Sequence, residues 1–447
     1  MNSEQKMLDT AMAVVEKAMA AGAEAADSIV VQGTSLSLAQ RLGKPEHVER
    51  SEGNDLGLRV FIGKRQAMVS SSDTGADALT ELVERAVAMA RTVPEDPFCG
   101  LAEPEQLATT DIDLDECDSV EPDTDTLKDR AIQAEQAARA IDGVTNSEGA
   151  EASWGHYRVG LAGSNGFART RTRSSHSISA SVIAGEGTLM ERDYDYDSRV
   201  HAEDLRSPED IGRSAGERAV KRLNPRKVET QKVPVIYDPR ISSSIISHLS
   251  SAVNGSSVAR GTSFLKDKLG EKIFPENITI VDDPLRPRGS SSKSFDAEGL
   301  PTRKRNIIEN GVLTSWTMDL RSARQLGMES TASAGRGTSS PPSPSTSNLF
   351  MEAGTLSPEE LMADIKSGFY VTEMIGMGVN GVTGDYSRGA TGFWIENGEI
   401  VFPVSEMTIA GNLLDIFANI TCANDLVFRR GTDAPTIRIE GLTVAGL

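Results

Sequence analysis

Apolar residues at Met7, Ala11, Val14, Val15 and Ala18 recur at helical spacing across residues 3–21, and Gly22 ends the run. This predicts an amphipathic helix. Short runs with period two follow at residues 27–32, 36–41 and 56–62, then a Gly63-Lys64 turn and a last run at 66–71. Helical spacing returns over 77–90 and stops before Pro94. The first unit is therefore a helix, a β-meander and a helix.

The same order recurs further on. A helix over 127–141 precedes strands near 150–154, 157–162, 167–173 and 177–184, and a helix over 208–223 ends before Pro225. An internal repeat is the simplest reading, argued from element order alone. Between the units, residues 94–124 are rich in proline and acid and read as a connector.

From Lys232 the pattern changes. A strand at 233–236 leads into Asp238-Pro239, an N-cap followed by proline at the first helical position, and Ile241, Ile245, Ile246, Leu249 and Val253 form one apolar stripe. Asn310-Gly311 and Asn397-Gly398 each predict a tight hairpin turn, because both residues accept positive φ. The Ser/Pro/Gly-rich residues 331–347 read as a mobile loop, and residues 436–440 as a terminal strand. The predicted fold is α+β, with an N-terminal unit (1–110), a central unit repeating it (111–230) and a β-rich C-terminal domain (231–447).

Composition narrows the function classes. The chain of 447 residues carries 65 acidic against 46 basic residues, a net charge of −19, which opposes direct contact with nucleic acid. Arg169, Arg171 and Arg173 share one face of a strand, read as a solvated face. Cys99, Cys117 and Cys422 form no C-x-x-C pair, in keeping with a reducing compartment, and no run approaches the roughly 20 apolar residues of a membrane span. A cytoplasmic protein without membrane contact is expected.

Four patterns suggest chemistry. Gly376, Gly378 and Gly381 match G-x-G-x-x-G, but Thr383, Gly384 and Gly389 forbid the helix that a dinucleotide site needs next. Asp193, Asp195 and Asp197 resemble a calcium loop, yet Ser198 stands where its glycine belongs, and a solvated strand face is the expected reading. Ser387 is a conceivable nucleophile, but all five histidines precede it and the G-x-S-x-G elbow is absent. Asp385 and Arg388 are expected to pair across a turn. The corner Asp385, Tyr386, Ser387, Arg388, held by glycines beside a hairpin, is the candidate loop for contacting a peptide or an interface. No two histidines fall at metal-ligand spacing, so no local metal site is expected.

Several stretches then carry a resemblance. Gly-Asp-Tyr-Ser-Arg-Gly-Ala at 384–390, Gly-Phe-Trp at 392–394, Glu-Asn-Gly-Glu-Ile at 396–400 and Pro-Val-Ser-Glu-Met-Thr-Ile-Ala-Gly-Asn at 403–412 resemble the TldD/PmbA family, in its PmbA (TldE) branch. Arg192-Asp193-Tyr194, Phe295-Asp296-Ala297-Glu298-Gly299 and Ser322-Ala323-Arg324-Gln325-Leu326-Gly327 extend the resemblance over the whole chain.

The resemblance implies a cytosolic zinc metalloprotease built as a heterodimer, acting on small or unfolded peptides such as a microcin precursor or an antitoxin. The family's catalytic subunit carries H-E-x-x-x-H on a helix and a later cysteine. Here that register falls on Ser247, His248 and Ala252, and no cysteine follows Cys422. A chain lacking these ligands is expected to hold no metal itself, to leave zinc to a TldD-type paralogue, and to act as that subunit's non-catalytic partner. Homodimerisation in the partner's absence remains open. The alternatives are a regulatory protein acting on DNA gyrase, which another of the family's names suggests, and an independent hydrolase using Ser387 or His248.

Overall fold

The computed structural model describes residues 3–446. The first unit runs α1 (Ser3–Ala20), β1 (Ala25–Arg41), β2 (Lys44–Ile62), β3 (Arg65–Ser71) and α2 (Ala76–Thr92). The second repeats that order as α3 (Thr124–Arg139), β4 (Val144–Gly163), β5 (Ala168–Ala184), β6 (Glu191–Arg199) and α4 (Pro208–Lys221). One continuous sheet joins them, in the order β3-β2-β1-β4-β5-β6, through the antiparallel β1–β4 pair.

Each unit has three strands where the sequence pattern suggested four short runs. The runs at 27–32 and 36–41 are one strand, as are those at 150–154 and 157–162 and those at 167–173 and 177–184, and the third strand of the second unit, β6, lies beyond all four runs. Gly33 and Gly155 interrupt the hydrophobic alternation without breaking the ladder, and the Tyr157 ring lies across both glycines.

All four helices cover one face of the sheet. Even-numbered positions of β1 (Ala26, Val30, Leu36, Leu38) point into two apolar clusters beneath them. The other face receives the C-terminal domain, with Ile29 and Leu161 packing on Phe167 and Phe295. The acidic connector lies along this seam, held by Arg169 to Asp111, by Arg288 to Asp115 at 2.5 Å, and by the Ser174 amide donating to Glu116 O. The face bearing Arg169, Arg171 and Arg173 is thus covered rather than solvated. The sequence shows which residues share a face, but which face another domain covers is decided by residues far along the chain.

The C-terminal domain begins with β7 (Gln231–Tyr237), α5 (Pro239–Ala252) and α6 (Gly255–Ala259). A second set follows: β8 (Ile280–Asp282), β9 (Arg305–Glu309), β10 (Val312–Leu313), α7 (Leu320–Leu326), β11 (Ala334–Gly335), β12 (Ser343–Pro344) and β13 (Leu349–Met351). The chain ends with α8 (Pro358–Met362), β14 (Ser367–Ile375), β15 (Asp385–Glu396), β16 (Glu399–Asn412), α9 (Leu413–Ala418), β17 (Ile420–Cys422), β18 (Thr432–Asp433) and β19 (Ile437–Ala445). Its larger sheet has the order β16-β15-β14-β7-β19-β17, and β16 turns back to pair with β19 at Thr408–Ala410, closing the sheet on itself. Ile245, Ile246 and Leu249 of α5 fill the core beside it.

Both predicted turns form, with φ of 49° and 81° at Asn310-Gly311 and 52° and 82° at Asn397-Gly398. The serine- and proline-rich segment is not a free loop. It makes the β11–β12 hairpin and then straps the C-terminal domain to the first sheet. Arg336 Nη1 donates to Asp27 at 2.8 Å, and Asp27 also pairs with its cross-strand neighbour Arg59. The Thr338 backbone presses on Gly57, where a Cβ would lie 2.1 Å from the Thr338 oxygen. Composition flagged this segment as a loop; buried ion pairing anchors it. No helix among the described residues is long and apolar enough to cross a membrane.

Candidate functional site

The sequence singled out helix α5 and the corner at 385–388, and the fold brings the two together. Asp238 caps α5 by accepting from the Arg240 amide at 2.9 Å, and the buried stripe fixes the helix's rotation. His248 is thereby aimed at β15. Its ring meets that of Tyr386 edge-on, with centroids 5.8 Å apart and planes at 76°. The Tyr386 and Tyr237 hydroxyls are 3.3 Å apart, and both rings are buried.

Alternation along β15 sorts the corner into two faces. Tyr386 and Arg388 point inward. Asp385 and Ser387 are exposed, so the expected pairing of Asp385 with Arg388 does not occur. Asp385 instead accepts from the Thr383 hydroxyl at 2.6 Å and from Asn412 Nδ2 at 3.4 Å. The Ser387 amide donates to Gly378 O at 2.7 Å and the Leu413 amide to Gly384 O at 2.7 Å. The corner is held by backbone bonds to neighbouring turns and by the Thr383 and Asn412 side chains on Asp385.

Burial, then Arg388, lowers the His248 pKa to about 4. The imidazole is neutral at neutral pH, and its buried Nε2 has no hydrogen-bond partner among the described residues. Burial raises the Tyr237 and Tyr386 hydroxyls, so neither ionises near pH 7. Exposed Ser247 donates to Ser243 O at 2.9 Å, and Ala252 is buried in the core. Nothing here activates a nucleophile: Ser387 faces away from the imidazole, and among the described residues the charge acting on His248 is the Arg388 guanidinium.

Nor do these residues fit zinc. A catalytic zinc takes three protein ligands with nitrogen, sulfur or carboxylate donors. Ser247, His248 and Ala252 offer one imidazole, facing the cation Arg388. Among the described residues no group of three or more His, Cys, Asp or Glu side chains is placed to hold a metal ion.

The aspartates of β6 are a correction. Asp193, Asp195 and Asp197 are 3%, 2% and 1% exposed, so they form a buried row rather than a solvated face. Asp193 meets Arg240 at 2.7 Å and Arg222 at 3.3 Å; Asp195 meets Arg206 at 2.8 Å and Arg218 at 3.1 Å; Asp197 meets Arg199 at 3.1 Å. Arg222 also reaches Glu373 of β14 at 2.7 Å. Through Asp193–Arg240 and Arg222–Glu373 the row ties the central unit to the C-terminal domain. The alternation of aspartates was visible in the sequence, but their arginine partners are scattered from 199 to 240.

A repeated α+β pair of units joined to a β-rich C-terminal domain, with a histidine-bearing helix set against a glycine-bounded hairpin, defines a three-part α+β architecture. The chain belongs to the PmbA/TldD family. Residues 26–90, 117–223 and 230–446 match domain 1, the central domain and the C-terminal domain of the PmbA/TldA metallopeptidases. It is 38% identical over 447 residues to Metalloprotease PmbA of Escherichia coli O157:H7, covering 99% of this chain and 97% of that one. A crystal structure described as a putative modulator of DNA gyrase from Bacteroides thetaiotaomicron superposes with a TM-score of 0.91 at 28% identity, over 98% of each chain. TldE from Thermococcus kodakarensis shares the fold, with a TM-score of 0.87 at 22% identity over 98% of this chain and 100% of that one.

Proposed function

We propose that this chain is the non-catalytic partner subunit of a TldD/TldE-type zinc metallopeptidase heterodimer, working in cytosolic proteolysis of small or unfolded peptides. The observation that carries the reading is the content of α5. At the register where the family's catalytic subunit places its ligands and base stand an exposed serine, a histidine held neutral between Tyr386 and Arg388, and a core alanine. The remaining groups, Tyr237, Tyr386, His248 and Arg388, can donate or accept hydrogen bonds but cannot generate hydroxide or an acyl-enzyme. The exposed residues of the corner, Asp385 and Ser387, then serve to line a chamber or a subunit contact.

Co-expression with a TldD-type paralogue tests this. Peptidase activity and zinc should appear in the complex and depend on the paralogue's ligands, while Ser247→Ala here leaves turnover within about twofold of wild type. Peptidase activity that survives removal of the paralogue's metal ligands would contradict it.

A further inference from the structure

A second cleft, of about 500 Å³, lies between α4 and the β15–β16 hairpin, away from His248. One wall is apolar. Ile395 pairs with Ile400 and Trp394 with Phe402, leaving Val401 as an extra, bulged residue. The bulge turns both Ile400 and Val401 outward, 47% and 52% exposed, beside Phe393 and Phe402. Among the described residues, the outer edge of β16 at 399–402 has no strand partner.

The opposite wall is polar with unequal occupancy. Both carboxylates lining it are satisfied: Asp193 by Arg240 and Arg222, Asp238 by the Tyr370 hydroxyl at 3.0 Å and by the Arg240 amide. The donors are not. Arg240 Nε is 3.7 Å from Asp238, beyond hydrogen-bond reach, and the buried Thr372 hydroxyl has no partner. Lys221 on the α4 side makes no hydrogen bond or ion pair among the described residues, and Arg218, already paired with Asp195 at 3.1 Å, is part-exposed beside it. In a chain of net charge −19, this cleft has an unpaired cation and unpartnered donors but no unpaired carboxylate.

A matching ligand is anionic at one end, apolar next to it, and extended enough to lie along a free strand edge. We propose that the cleft binds the carboxyl-terminal end of a peptide whose last side chain is apolar. The carboxylate sits against Arg218, Lys221 and the unpartnered donors of Arg240 and Thr372, and the last side chain sits on Ile400 and Val401. This goes beyond the partner reading and does not depend on it.

The test uses the purified full chain and a fluorescent peptide, Ala-Ala-Ala-Leu-Leu, as free acid and as C-terminal amide, read by polarisation. The acid should bind, and the amide should bind about tenfold more weakly or worse, as expected for losing charge-assisted hydrogen bonds. Ile400→Asp, at an exposed position, should abolish acid binding without altering the thermal midpoint, and Thr372→Val should weaken it several-fold. Equal affinity of acid and amide, no binding at millimolar peptide, or an unaffected Ile400→Asp would overturn the proposal. So would an Ile400→Asp chain that binds peptide normally but no longer assembles with the paralogue, since the rim would then be a subunit contact. Failure here leaves the partner reading standing, because that reading is judged by zinc and cleavage.

Discussion

The His248 imidazole stands edge-on to the Tyr386 ring at 5.8 Å, joining helix α5 to the β15–β16 hairpin. His248 is part of an aromatic and cationic cluster with Tyr386 and Arg388. Its electrostatics lead to a pH prediction.

The folded His248 pKa is about 4, lowered first by burial and then by Arg388. An unfolded histidine titrates near ~6.5, so between those values the unfolded chain binds the extra proton, and stability falls as pH drops through that window. After allowance for the ring's partial exposure the loss is roughly 2 kcal/mol by pH 4. The His248→Gln chain should have a flatter profile between pH 7 and 4 in urea unfolding. Parallel profiles for the two chains would mean that the ring titrates normally.

Asp193 accepts from Arg240 at 2.7 Å and from Arg222 at 3.3 Å at the seam between the central unit and the C-terminal domain. Removing its charge takes from the buried Arg240 its closest carboxylate, while Arg222 keeps Glu373. Asp193→Asn should cost about 3 kcal/mol or more. Chemical denaturation measures the loss, and it should exceed that of Asp111→Asn, whose carboxylate is 75% exposed.

Gly57 lies beneath the Thr338 backbone, with 2.1 Å available to a Cβ. Gly57→Ala should lift the 336–338 strap, loosen the Asp27–Arg336 contact and cost about 1–3 kcal/mol. Faster proteolysis near Arg336 in limited digestion is the expected readout; an unchanged digestion pattern would show that the strap is not held there.

Much of this architecture can be read from periodicity. The stripe Ile245, Ile246, Leu249 and Val253 is the buried face of α5, and Asn397-Gly398 is the positive-φ turn it resembles in sequence. What periodicity cannot supply is the identity of the surface that covers a face. Asp193, Asp195 and Asp197 alternate as a solvated strand would, and only distant Arg218, Arg222 and Arg240 make them a buried row. Arg336 sits in a serine- and proline-rich segment whose composition says loop, and its anchor, Asp27, lies 309 residues away. Of the site, Tyr386, Arg388 and His248 were each nameable from sequence, but their meeting was not, because it depends on how α5 packs against the closed sheet.

The most direct test of the account is zinc content and peptidase activity of this chain purified alone, set beside its complex with a TldD-type paralogue. The account predicts less than about 0.1 zinc per chain and no cleavage alone, with both appearing in the complex, as expected where one subunit lacks the three ligands a catalytic zinc needs. One tightly bound zinc per lone chain, accompanied by proteolysis that a chelator abolishes, would contradict it.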